Sequence, residues 1–163
     1  MGAEFCEGVS RVTLELGIAA RQELPQLVAL LGILYSQEAE FTPDDAKQTR
    51  ALEKMLSDAS VGTVFVAREE GRVVAMASLL YTISTAEGGT AALFEDLVVL
   101  PGHRGRGIAS SLVEFIIRHA RKQGVLRLTL LTDARNERAQ ALYRKLGFTD
   151  SSMKPMRQRF SSA

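Results

Sequence analysis

The sequence predicts an α/β (α+β) chain: a mixed, mostly antiparallel central sheet of about six or seven strands, flanked by about four helices. Three observations carry this. The apolar run 93–100 passes through the turn Pro101-Gly102-His103-Arg104-Gly105-Arg106-Gly107 straight into a helical pattern. Ahead of it, strand-like runs follow one another through turn signals, which describes a meander. Helical stripes stand before and after the meander, so the helices have a sheet to cover. With 46% apolar and 24% charged residues, residues 1–163 fit a single domain with one core.

In chain order, residues 12–16 alternate apolar and polar and read as a first strand. Leu24, Leu27, Val28, Leu31 and Leu34 make a helical stripe, with Pro25 tolerated in the first turn, where its missing N–H would be unpaired anyway. Thr42-Pro43-Asp44-Asp45 is a helix start with a hydroxyl cap at Thr42, and that helix runs to about Ser57. Residues 61–67 and 72–81 form a hairpin about Glu69-Glu70-Gly71, and the turn 85–90 leads into the run 93–100. After the glycine turn, Ile108, Leu112, Phe115 and Ile116 mark the apolar face of a helix ending near Gly124. Leu126, Leu128 and Leu130 give a further strand, returning parallel by a right-handed crossover. Asn136 caps a last helix with the stripe Ala139, Leu142, Tyr143 and Leu146, stopped by Gly147. Two short strands at 148–150 and 155–160 complete the expected sheet.

Composition excludes several classes of function. A formal charge of +1, from 20 basic and 19 acidic residues, lacks the basic footprint of a general nucleic-acid binder. No run reaches the roughly 20 apolar residues of a membrane helix, and residues 1–21 lack the pattern of a signal peptide. A cytoplasmic protein with no membrane and no nucleic-acid partner is the expectation. Cys6 is the one cysteine, so no internal disulfide forms, and cysteine-built metal sites are excluded. No metal is expected, because His103 and His119 have no partner at ligand spacing.

The glycine turn carries the chemistry. Glycines let backbone N–H groups approach a ligand, and the first turn of a helix has N–H groups with no intrahelical partner. The junction reads as a phosphate cradle. A dinucleotide-binding fingerprint fits it poorly, since the third glycine of that pattern falls at Ser110 and the parallel repeats are missing.

Arg104-Gly105-Arg106-Gly107-Ile108-Ala109 matches a signature of Arg or Gln, two variable residues, Gly, one variable residue, then Gly or Ala. Asn136 with residues 138–148 looks like a second signature. In this order and with these elements, the chain resembles the GCN5-related N-acetyltransferase (GNAT) superfamily from about Val12 to Phe160. The resemblance implies the GNAT fold and an acetyl-CoA-dependent N-acetyltransferase working by direct transfer. It implies cofactor binding by backbone amides of Arg104, Gly105, Arg106, Gly107, Ile108, Ala109 and Ser110, with Leu97, Val98 and Val99 along the pantetheine arm. Asn136 would reach the pantetheine or phosphate region, and the homodimers common in the family imply a homodimer here.

Transfer requires a neutral amine, and an alkyl amine has a pKa of about 10.4, so a base or a desolvating pocket must act. Glu95 is the candidate base, and Asp96 points to the opposite face of an ideal strand unless a bulge intervenes. Tyr143 matches the tyrosine that many family members use as general acid. Glu95, Asp96 and Glu38 are the candidate residues for binding the acceptor. The Glu95-Asp96 pair, the cradle and the spacing from Asn136 to Tyr143 resemble spermidine/spermine acetyltransferases, which makes a polyamine or another small cationic amine the first acceptor expected. A non-catalytic acetyl-CoA-binding sensor or interaction module is the alternative, because fold alone does not establish function.

Overall fold

A computed structural model describes residues 13–37 and 40–160. The order is β1 (Leu14–Ile18), α1 (Leu24–Tyr35), α2 (Asp45–Ser57), β2 (Gly62–Glu69), β3 (Arg72–Ser84), β4 (Gly89–Val99), α3 (Ile108–Lys122), β5 (Arg127–Leu130) and α4 (Glu137–Lys145). Two compact units divide after Leu131, so α4 belongs to the second. The five strands form one sheet in the order β1-β2-β3-β4-β5, antiparallel except for the parallel pair β4/β5. This is the mixed, mostly antiparallel sheet expected.

Residues 148–160 correct the expectation of six or seven strands, since they contain no strand. A strand needs a ladder partner and a face to bury. This segment offers Lys154, Pro155, Arg157 and Arg159 among its few apolar residues, and Met153, Met156 and Phe160 are all more than four-fifths exposed. The α2 cap also moves: Asp44, not Thr42, accepts from the Lys47 N–H, at 3.1 Å.

The sheet buries both faces. Val64, Val66, Val73, Met76 and Val98 meet Leu27, Val28, Leu30 and Leu31 of α1 and Leu52 of α2. Each such side chain contributes about 1.5–3 kcal/mol when fully buried. On the other face Phe65 meets Phe115 and His119 of α3 edge-on, with centroids 6.1 and 4.9 Å apart. Adjacent residues of β2 thus serve opposite layers, as the two-residue period of a strand requires. The β2–β3 hairpin turns through Glu70 and Gly71, both with positive φ (50° and 74°), the form that matches strand twist.

Candidate active site

Strand β4 holds the site because it is irregular at one point. Across the β3–β4 ladder Ser78 faces Glu95 and Met76 faces Val98, so between these pairs one residue of β3, Ala77, stands against two of β4, Asp96 and Leu97. That mismatch is a bulge, and Asp96 within it adopts φ 58°, a left-handed conformation rare for any residue but glycine, asparagine or aspartate. Directly opposed residues share a face, and Ser78 is paired with both Glu95 and Val64, on the side of α1 and α2. The bulge turns Asp96 to that side as well. Its carboxylate accepts from the Tyr35 hydroxyl at 2.9 Å and from Ser78 Oγ at 3.4 Å. Two consecutive carboxylates therefore share one face, which an ideal strand forbids.

Burial pushes the Asp96 carboxyl above the ordinary aspartate range, and the hydrogen bonds from Tyr35 and Ser78 only partly oppose it. Neither donor is a cation. Tyr35 also stacks on Phe41 at 5.4 Å, so the end of α1 is packed against the segment that follows it. Glu38, expected to bind the acceptor, lies outside the described residues.

Beyond the bulge, β4 has an open side. Its ladder with β5 runs from Ala91–Arg127 to Phe94–Leu130 and stops, one residue before Glu95. The Leu100 N–H donates to the Val74 carbonyl at 2.9 Å, and in an antiparallel ladder such residues alternate. Val98 accordingly turns its main chain to β3, while Leu97 and Val99 turn theirs outward. Of the three residues expected along a pantetheine arm, these two turn their backbone groups away from β3, the Val99 carbonyl there accepting from Arg104 Nε at 3.0 Å.

The strand then enters the cradle. Gly105 and Gly107 have φ of 77° and 80°, and a Cβ on either would meet nothing within 4 Å. Glycine is there for the handedness of the backbone, and the space above it is clear. Gly107 caps α3, and the first intrahelical bond runs from the Ser111 N–H to the Gly107 carbonyl at 3.0 Å. The N–H groups of Ile108, Ala109 and Ser110 precede that bond, so they have no intrahelical acceptor. An anion fits here. The two arginine side chains, however, turn back to the protein. Arg104 Nε donates to the Val99 carbonyl at 3.0 Å and Arg104 Nη2 to Gln37 at 3.3 Å. Arg106 donates both its amino groups to Glu69, at 2.8 and 3.1 Å. The groups of the turn left facing outward are therefore main-chain donors rather than guanidinium groups.

In the second unit, Asn136 caps α4, its Oδ1 accepting from the Ala139 N–H at 3.0 Å. Tyr143 lies edge-on to Phe148 at 5.8 Å, and burial pushes its phenol up to about 12. Such a hydroxyl stays protonated at any physiological pH and can therefore serve as a proton donor.

Sequence reasoning missed Tyr35, Ser78 and Glu69. Tyr35 follows Leu31 at helical spacing and could have been read as the polar-tipped end of the α1 stripe. Nothing local marked the other two. A cavity of about 550 Å³, lined by Ile18, Thr63, Tyr81, Thr90, His119 and Gln123 among others, lies toward the far end of α3 from the cradle. Among the described residues no group of three or more His, Cys, Asp or Glu could hold a metal ion, and no helix is long and apolar enough to cross a membrane.

Comparison with known proteins bears on this geometry. The Acetyltransferase (GNAT) family matches residues 27–148. A glucosamine 6-phosphate N-acetyltransferase of Trypanosoma brucei brucei is 31% identical over 139 residues, 84% of this chain and 90% of that protein. A crystal structure from Clostridium difficile 630, described as a possible acetyltransferase, superposes with a TM-score of 0.82 at 19% identity, over 91% of this chain and 99% of that one. A crystal structure from Clostridium acetobutylicum, described as a predicted acetyltransferase with acetyl-CoA, gives 0.75 at 18% identity, over 90% and 96%; at these identities the likeness is one of fold. Since the family match spans most of the chain and takes in both signatures, the chain belongs to the GNAT family and is an N-acetyltransferase with acetyl-CoA as its cosubstrate.

Proposed function

We propose that the chain acetylates the primary amine of a small cationic acceptor of polyamine type, received by Glu95 and Asp96. The observation that carries this reading is the bulge, which turns two adjacent carboxylates to one side of β4 where its pairing with β5 ends. An acidic pair at the mouth of an open strand edge favours an ammonium and disfavours a neutral or anionic acceptor.

The main chain of Leu97 and the Val99 N–H would hold the pantetheine arm, and the N–H groups from Gly105 to Ser110 the pyrophosphate. Bound acetyl-CoA supplies the acetyl group: the amine nitrogen bonds to the acetyl carbonyl carbon, the carbon–sulfur bond breaks, and its electron pair leaves on sulfur. Asp96 takes the proton that the ammonium must lose, because its raised pKa suits proton acceptance near neutral pH better than an ordinary aspartate would. Glu95 is first an ion-pair partner for the amine, a revision of its expected role as base. Tyr143 is retained from the family resemblance as the proton donor to the departing sulfur, and the proton that the nitrogen sheds as it becomes an amide restores the phenol.

An amino sugar phosphate is a second reading, favoured by the Trypanosoma relative. The test is an acceptor panel with acetyl-CoA, followed by release of CoA thiol. Spermidine, putrescine and lysine should turn over with kcat/KM at least tenfold above that of glucosamine 6-phosphate. The reverse order assigns the amino sugar, and no turnover of any amine removes the acidic pair as acceptor site.

A further inference from the structure

The glycine turn is held from outside by one carboxylate. Glu69, the last residue of β2, is 8% exposed, and both of its oxygens are engaged by the turn. Oε1 accepts from Arg106 Nη2 at 2.8 Å; Oε2 meets Arg106 Nη1 at 3.1 Å and His103 Nδ1 at 2.8 Å. Arg106 Nη1 in turn lies 3.3 Å from His103 Nδ1. The pair Arg106–Glu69 is forked at both ends, the strongest and most directional form of such a contact.

Its location gives it meaning. Arg106 stands between Gly105 and Gly107, the two residues whose positive φ aims the backbone of the cradle. Glycines on both sides leave that stretch with more freedom to lose than any other sequence, so an unbraced turn would sample many shapes. Arg104 secures its entrance to Val99 and Gln37, and Glu69 secures its middle. A ligand held by main-chain donors depends on those donors already being aimed when it arrives.

We propose that Glu69 is a positioning residue for acetyl-CoA: acting through Arg106 and His103, it holds the 104–108 turn in the conformation that presents its N–H groups to the pyrophosphate. This rests on the reading that the cradle binds the pyrophosphate. It also makes a prediction opposite in sign to simple electrostatics. A carboxylate near a phosphate site repels the ligand, so charge alone says that removing it tightens binding. Positioning says that removing it weakens binding.

The experiment is calorimetric titration of CoA into the wild type, Glu69→Gln and Arg106→Gln, with hydrogen exchange followed at residues 105–110. The expected result is a Kd for CoA about tenfold higher in both variants, with faster exchange at Gly105 and Gly107 and a melting point within a few degrees of wild type. The double variant should bind no more weakly than the weaker single one, because the two changes break the same contact. In turnover, KM for acetyl-CoA should rise with Kd while KM for the acceptor amine stays within twofold. Unchanged or tighter CoA binding by Glu69→Gln overturns the proposal. If Glu69→Gln fails to fold, Arg106→Gln decides: binding as in the wild type overturns the proposal equally. If the wild type itself binds no CoA, the pyrophosphate reading has failed, which is a separate and recognisable outcome.

Discussion

Two carboxylates near the cradle differ in every respect that decides what a buried acid does. Glu69 accepts from a forked guanidinium and a histidine; Asp96, among the described residues, accepts from the hydroxyls of Tyr35 and Ser78. For Glu69 burial works toward a higher pKa, but the hydrogen bonds from Arg106 and His103 outweigh it and hold the carboxyl below the glutamate range. For Asp96 burial wins and the carboxyl is raised. The first is a charge fixed in place, suited to bracing. The second is the carboxyl to which the proposed mechanism gives the proton, and it sits on a left-handed backbone of the kind proteins retain where chemistry requires it.

Replacing the second acid should have the largest effect and should separate activity from stability. Asp96→Asn keeps an oxygen for the Tyr35 hydroxyl and suits the left-handed backbone, but cannot accept a proton. A general base contributes about 10²–10⁴-fold, so kcat should fall roughly 100-fold. Stability should move the other way. A carboxyl whose folded pKa is raised contributes stability below its unfolded pKa and loses it as pH rises through the folded value. At pH 7 the variant should therefore melt about 2–4 °C higher, equivalent to about 1 kcal/mol, and the gap should close as pH falls below 4. Glu95→Gln is the control, raising KM for the amine more than it lowers kcat. If Glu95→Gln carries the hundredfold loss and Asp96→Asn does not, the roles are exchanged.

Tyr143 extends the contrast from acceptor to donor. With its phenol near 12 it does not ionise below pH 10, so its loss should lower the rate without reshaping the alkaline side of the pH profile. Tyr143→Phe should reduce turnover at least tenfold and leave CoA affinity unchanged by calorimetry. Unchanged turnover with a good acceptor removes Tyr143 from the mechanism.

A third carboxylate shows what a purely structural one looks like. Glu23 accepts from Arg68 Nε and Nη2 at 2.6 and 2.8 Å and from the Ala20 N–H at 2.7 Å, joining the start of α1 to β2 away from β4. Its pKa is lowered, by the Arg68 hydrogen bonds first. Glu23→Ala leaves Arg68, whose side chain is 12% exposed, with only the Ile18 carbonyl at 3.1 Å and Glu15 at 3.5 Å among the described residues, and should cost about 2 kcal/mol, seen as a lower melting point, with kcat per folded molecule unchanged. An equal fall in kcat and KM selectivity would mean that the β1–β2 side of the sheet communicates with the site.

The cradle was legible in the sequence because glycine acts locally: Gly105 and Gly107 announce their backbone wherever they stand. The bulge was not, because it is a difference in residue count between β3 and β4, fixed only when Ser78 meets Glu95 and Met76 meets Val98. The partners of the site are equally non-local. Tyr35 lies 61 residues from Asp96, and Glu69 lies 37 from Arg106. The same limit produced the two C-terminal strands that the structure lacks. Phe148, Met156 and Phe160 have strand-like chemistry, but a strand is a property of a pair, and periodicity reads one chain segment at a time.

Tyr35 gives the smallest effect and the most specific one. Its hydroxyl hydrogen bond lowers the Asp96 pKa against the rise caused by burial, so Tyr35→Phe removes the opposing influence and the carboxyl moves further up. A base must be deprotonated to act, so the acid limb of kcat/KM for the amine should shift to higher pH in the variant. At neutral pH the rate should fall only about threefold, in line with the loss of one hydrogen bond worth roughly 0.5–1.5 kcal/mol. Above the shifted limb the two enzymes should converge. Loss of a structural contact alone would lower the rate equally at every pH, so a parallel displacement of the whole profile would deny Asp96 the role of base, whereas a limb that moves while the plateau holds ties the titrating group to the carboxylate that Tyr35 touches.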